Sequence, residues 1–280
     1  MTERLRIDTS LGSIAVFDSG RGKPIFLWPS LFTDHRLYDA MVAGLVPHGW
    51  RTLAIDGPGF GQSDPPDGLV QPETYAEAVV AMAGTLGIDR FSFAGCSWGG
   101  MVGAHLGLRD ASRLNALVLM NTPLLPSRGG HLFEYWGARL AVSSSKLAEG
   151  TAREMLGQRA LADPDKLAMF TEPFASFERG PAARTVDVTL RHFAGLEDVL
   201  AASRAPTTIM MGAEDTLYPT ADLMPIAERA PTAKIVIVPD CGHIIPIESP
   251  EAAVAAILEA DRQPEREQGS PPQPSVGSGA

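Results

Sequence analysis

Short continuous apolar runs alternate along this chain with stretches whose apolar residues recur at helical spacing. The runs IFLW, FSFAG, ALVLM, TTIMM and KIVIV are the clearest. A run without a polar face is the pattern of a strand covered on both sides, as in a parallel sheet between helices. Together with weaker runs they predict strands at Arg4–Asp8, Ser13–Phe17, Pro24–Trp28, Arg51–Ile55, Phe91–Gly95, Ala116–Met120, Thr207–Met211 and Lys234–Val238. Helices are expected between them, at Arg36–Pro47, Thr74–Leu86, Trp98–Leu108, Thr220–Arg229 and Pro250–Asp261. This order predicts an α/β fold, a mostly parallel sheet wrapped by helices.

One stretch breaks the alternation. Residues 124–204 hold no convincing strand, only helical patterns broken by Pro and Gly, with Phe133, Tyr135, Trp136, Phe170, Phe174, Phe177 and Phe193 among them. About eighty residues is too long for a plain loop, so a helical cap or lid over the sheet's carboxyl edge is expected. The core is then 1–123 and 205–261. From Arg262 the chain is rich in Pro, Gly, Ser and Gln, and 262–280 is expected to be a disordered tail, unable to offset its ordering entropy by burial.

Composition narrows the function classes. The net charge of −10 argues against a nucleic-acid partner. No apolar run approaches the roughly 20 residues that span a bilayer, and Met1–Ser10 has no apolar signal-peptide region. A cytoplasmic protein without membrane association is expected. Cys96 and Cys241 are the only two cysteines, too few for a disulfide scaffold, and are read as incidental thiols rather than a redox pair.

The chemistry concentrates at Gly95-Cys96-Ser97-Trp98-Gly99, where an expected strand meets an expected helix. In this G-x-S-x-G pattern a serine on a tight turn projects its hydroxyl from the sheet edge, and small neighbours let backbone approach closely. The helix N-terminus behind it favours a developing oxyanion. A serine hydroxyl needs a base. His243, in the loop after KIVIV, fits better than His35, His48, His105, His131 or His192. Asp215 after TTIMM is the expected orienting acid, with Glu214 as fallback; Asp240 lies too near His243 in sequence and suits a loop cap. The oxyanion donors are expected from the backbone N–H of Trp98 and of Leu31, with Ser30 or Phe32 as alternatives. Trp98, Trp28, Phe32 and Trp136 are candidate substrate-binding residues, although Trp98 and Trp28 fit helix–sheet packing as well.

In order, Pro29–Thr33, the turn Asp56–Asp64 (DGPGFGQSD), the elbow Gly95–Gly99, and the segments Gly212–Asp215 and Gly242-His243 with Glu248-Ser249-Pro250 resemble the α/β-hydrolase superfamily over residues 1–261. The resemblance implies the α/β-hydrolase fold: a mostly parallel eight-stranded sheet flanked by helices, with a helical lid insertion. Asp56 and Ser63 are read as organising a turn. The chain departs from the family at Pro29-Ser30, where a His-Gly pair is usual. There PSLFTDHRLY is similar to the corresponding stretch of 3-oxoadipate enol-lactonases. Ser97 stands where epoxide hydrolases and haloalkane dehalogenases carry Asp.

The resulting expectation is a serine hydrolase acting on a small-molecule substrate, an apolar ester or lactone, through an acyl-enzyme on Ser97. No cofactor and no metal is expected, and a homodimer is the one protein partnership considered. The same three residues could serve acyl transfer, C–C bond hydrolysis or cofactor-free perhydrolysis, and a non-catalytic ligand-binding member of the fold is the remaining alternative.

Overall fold

The computed structural model describes residues 2–68, 70, 72–125, 131–191, 193 and 195–268. Eight strands form one sheet: β1 (Thr2–Thr9), β2 (Gly12–Gly20), β3 (Lys23–Trp28), β4 (Trp50–Ile55), β5 (Phe91–Cys96), β6 (Leu114–Met120), β7 (Thr207–Gly212) and β8 (Ala233–Val238). Their order across the sheet is β1-β2-β4-β3-β5-β6-β7-β8. β2 runs antiparallel to both of its neighbours, β1 and β4, and the remaining pairs are parallel. Every residue of β5 and of β7 is buried, as their unbroken apolar runs require.

Helices α1 (Asp39–Leu45), α2 (Pro72–Thr85) and α3 (Trp98–Arg109) cross between the first strands. Between β6 and β7 lie α4 (His131–Ala141), α5 (Ala148–Met155), α6 (Gln158–Leu161), α7 (Pro164–Ser176), α8 (Arg179–Leu190) and α9 (Glu197–Ala202). This insertion closes on itself at its base, where the Leu196 N–H donates to the Leu124 carbonyl at 2.7 Å. α10 (Thr220–Ala227), α11 (Ile245–Glu248) and α12 (Pro250–Gln268) complete the chain.

Two expectations change here. The single helix expected over Arg36–Pro47 is α1 flanked by 3-10 turns at His35–Tyr38 and Val46–His48. α12 continues to Gln268, into the stretch expected to be disordered from Arg262. Arg, Gln and Glu are good helix formers, and extending an existing helix needs no new nucleus, so a polar composition did not stop it. Residues 269–280, His192, and the side chains of His131 and Phe133 lie outside what is described.

Candidate active site

Ser97 sits between β5 and α3 with φ 53 and ψ −111, a conformation that L-residues with a side chain rarely adopt. Crowding around the turn explains its glycines. A Cβ at Gly95 would strike the backbone of Gly99, and a Cβ at Gly99 would strike the carbonyl of Trp28. That carbonyl is itself fixed by the Tyr38 hydroxyl at 2.6 Å. The Ser97 N–H donates to the Met120 carbonyl of β6 at 2.8 Å, so the strained residue is anchored on the neighbouring strand.

From this turn the Ser97 hydroxyl reaches His243, whose Nε2 lies 2.9 Å from Oγ. On the other side of the ring, Nδ1 lies 2.7 Å from Asp215 Oδ2. The carboxylate at the ring is therefore Asp215. Glu214 instead accepts the Gln158 N–H at 2.8 Å, and Asp240 occupies a turn at φ 50. All three members are enclosed: Ser97 is 8% exposed, Asp215 5% and His243 1%. With Nδ1–H given to Asp215, Nε2 is left to accept the serine proton. The arrangement can thus turn a hydroxyl into a nucleophile.

Charges follow from this packing. Burial pushes the Asp215 carboxyl up. The charge and hydrogen bond of His243, the Tyr218 N–H and the Asn121 amide outweigh it and hold Asp215 below its ordinary value. Burial pulls the His243 imidazole down, yet Asp215, Glu248 and Glu134 together raise it above its ordinary value.

The roles of four partners of this group escaped sequence reasoning. Asn121, at φ 44 just past β6, donates from Nδ2 to Asp215 Oδ2 at 2.8 Å and to the Gly242 carbonyl at 3.1 Å. The buried Glu248 accepts the N–H groups of Gly157 and Gly242 on Oε2 and of Ile244 on Oε1, each at 2.8 Å. The His243 N–H donates to Met155 in the insertion at 2.7 Å. Tyr218 packs its ring 5.5 Å from the imidazole. The only available signal was placement at the carboxyl ends of strands, which Asn121 and Tyr218 share with Ser97.

The remaining expected residues divide. Among the described residues no acceptor is bonded to the N–H of Leu31 or of Trp98. Phe32, at φ 70, is buried against Phe60, Phe174 and Phe177. Trp28 and Trp98 are core residues, stacked edge-on with each other and with Tyr75. Trp136 departs from its expected pocket position: it is 65% exposed, with Tyr135 as its ring neighbour. Successive helix positions differ by about 100°, and α4 turns Tyr135 inward, so Trp136 faces out.

Asp34, His35 and Asp56 form the one group of metal-ligand type among the described residues, with ligand atoms within 4.8 Å of one another. Those atoms are already engaged. Asp56 accepts His35 Nδ1 at 2.7 Å and the Gln62 N–H at 2.7 Å, and Asp34 is spanned by the Arg36 guanidinium. With the Ser63 hydroxyl on the Asp56 carbonyl at 2.6 Å, the group ties a turn together. Among the described residues no helix is long and apolar enough to cross a membrane.

Known proteins place the chain. It is 26% identical to haloalkane dehalogenase 2 of Mycobacterium tuberculosis over 267 residues, 90% of this chain and 92% of that one. It is 28% identical to 2-hydroxymuconate semialdehyde hydrolase of Pseudomonas putida over 215 residues, 72% of this chain and 73% of that one. The enol-lactonase of Burkholderia xenovorans superposes with a TM-score of 0.79 at 25% identity, covering 89% of this chain and 96% of its own. A family model described as the alpha/beta hydrolase fold matches residues 23–250. With that match spanning most of the chain, and the strand order and serine turn described above, this protein belongs to the α/β-hydrolase family.

Proposed function

We propose that the protein is a serine hydrolase that cleaves a carboxylic ester or lactone through an acyl-enzyme on Ser97. The observation that carries this is the continuous chain from Ser97 Oγ through His243 to Asp215, buried at the turn after β5. His243 takes the proton of Ser97 as Oγ attacks the carbonyl carbon. The N–H groups of Leu31 and Trp98 receive the oxyanion. His243 then protonates the leaving oxygen, and water repeats the sequence on the acyl-enzyme. The insertion 124–204 acts as the lid that encloses the acyl and alcohol groups.

The likeness to a haloalkane dehalogenase does not transfer its reaction. A serine hydroxyl that displaced halide would leave an alkyl ether, which water does not cleave under these conditions, whereas acyl transfer leaves an ester that it does. The likeness to 2-hydroxymuconate semialdehyde hydrolase favours one second reading, C–C bond hydrolysis on the same three residues. Product analysis on a diketone and an ester separates the two.

A fluorophosphonate probe is expected to label Ser97 in the folded protein. Ser97→Ala is expected to lower kcat on p-nitrophenyl butyrate by about four powers of ten or more with an unchanged unfolding midpoint. An unchanged rate would remove Ser97 from the mechanism.

A further inference from the structure

Glu134 lies on α4, in the insertion, and its two carboxyl oxygens are treated differently. Oε1 accepts the hydroxyl of Tyr218. Oε2 is enclosed and has no hydrogen-bond partner among the described residues. A buried carboxyl oxygen without a partner is costly, and folded proteins leave few of them unexplained. Its location is informative. The Tyr218 ring stacks at a tilt 5.5 Å from the His243 imidazole, and the Tyr218 N–H donates to Asp215 Oδ1 at 3.0 Å. Glu134 and His243 act on each other's charge. The carboxyl that carries the orphaned oxygen is thus joined to the base by way of Tyr218, from the insertion.

We infer that Glu134, held by Tyr218, is a substrate subsite that takes a hydroxyl group on the leaving-group side of the ester. The inference rests on the ester-hydrolase reading above. In that reaction the leaving oxygen collects its proton from His243 Nε2, so the leaving group lies against the imidazole on which Tyr218, the partner of Glu134, packs. Burial pushes the Glu134 carboxyl up while Tyr218 and His243 hold it back. A hydroxyl donates to the carboxylate oxygen, which an ether oxygen cannot do. A site built around an otherwise unpaired polar atom discriminates sharply against analogues that cannot pair with it. The substrate is then an ester of mostly apolar character with a single polar handle near the scissile bond.

The test compares 2-hydroxyethyl butyrate with 2-methoxyethyl butyrate, which keeps the oxygen as an ether and loses the donor, using p-nitrophenyl butyrate as reference. The wild type is expected to favour the hydroxy ester in kcat/KM by roughly ten- to a hundredfold. Glu134→Leu brings that ratio to within about twofold of one, since no carboxyl remains to pair. Glu134→Gln keeps the size of the side chain, offers an N–H in place of Oε2, and brings the ratio to one or below. Equal rates on the two esters, with p-nitrophenyl butyrate turned over, overturn the subsite and leave the ester reading standing. A wild-type preference that survives both substitutions also overturns it. No turnover of any of the three esters overturns the ester reading and the subsite together.

Discussion

Beneath Ser97 the chain is held by backbone against backbone, whereas around His243 it is held by a carboxylate. At the serine turn, Gly95 and Gly99 let main chain touch main chain, and the Trp28 carbonyl fills the space a side chain would need. At the histidine loop, Glu248 gathers three N–H groups from two parts of the fold, Gly157 in the insertion and Gly242 and Ile244 in the core. The first device is steric, short in range and carries no charge. The second is electrostatic, so it fixes the position of the histidine and also bears on its basicity. On the proposed mechanism, one site therefore combines a sterically fixed nucleophile with a base whose strength depends on the carboxylates packed around it.

The sharpest way to break this contrast is Gly99→Ala. Helix propensity alone would make alanine better than glycine in α3 by about 1 kcal/mol. Close approach to the Trp28 carbonyl predicts the opposite sign, a loss of about 3 kcal/mol or more in urea unfolding. A stabilised variant would refute the steric account.

Glu248→Gln tests the other half. An amide has one acceptor oxygen where the carboxylate has two, so at least one of the three N–H groups loses its partner. Stability is expected to fall by about 1–3 kcal/mol. The pH profile gives a readout that a purely structural role would not move. On the proposed mechanism the neutral imidazole is the base, so kcat/KM is expected to rise with pH through the His243 midpoint. That midpoint is expected above the ordinary histidine value, because Asp215, Glu248 and Glu134 all raise it. Removing the Glu248 charge is expected to move it down, towards acid. A midpoint that stays in place would reduce Glu248 to a loop tie.

The smallest effect belongs to the outer face of the insertion. Trp136→Ser, at a side chain 65% exposed, is expected to change stability by no more than about 0.5 kcal/mol and kcat/KM by no more than about twofold. A tenfold loss of activity would bring Trp136 back to the substrate.

What could be read in advance depended on how local its cause is. The strands are continuous apolar runs, and β5 and β7 are buried at every position as such runs demand. The serine turn is signalled within five residues, and Asp215 and His243 follow recognisable strands, so these three were legible. Asn121 meets Asp215 across 94 positions and Glu248 meets Gly157 across 91, and no local pattern announces either encounter. Glu134 and Trp136 stand two apart on one helix, yet one faces Tyr218 and the other solvent. The phase of a helix against the rest of the molecule is set by how the insertion docks, which an aromatic count does not encode. α12 outran its expected end because helix extension depends on the residues already helical before it as well as on apolar content.

The base of the insertion carries a consequence for how such a molecule can diversify. The excursion leaves at Leu124 and returns at Leu196, where a backbone hydrogen bond ties its ends. β6 and β7, on either side of it, pair directly with each other in the sheet. Closing a flexible loop costs entropy that grows only with the logarithm of its length, about 0.6 kcal/mol for each doubling. The segment between these two leucines can therefore be exchanged for a longer or shorter one at little cost in closure entropy, while the strands that present Ser97 and Asp215 keep their order. The neck at Leu124 and Leu196 is a port at which the insertion can change in length, provided that any replacement again offers a carbonyl to the His243 N–H and an N–H to Glu248, as Met155 and Gly157 do.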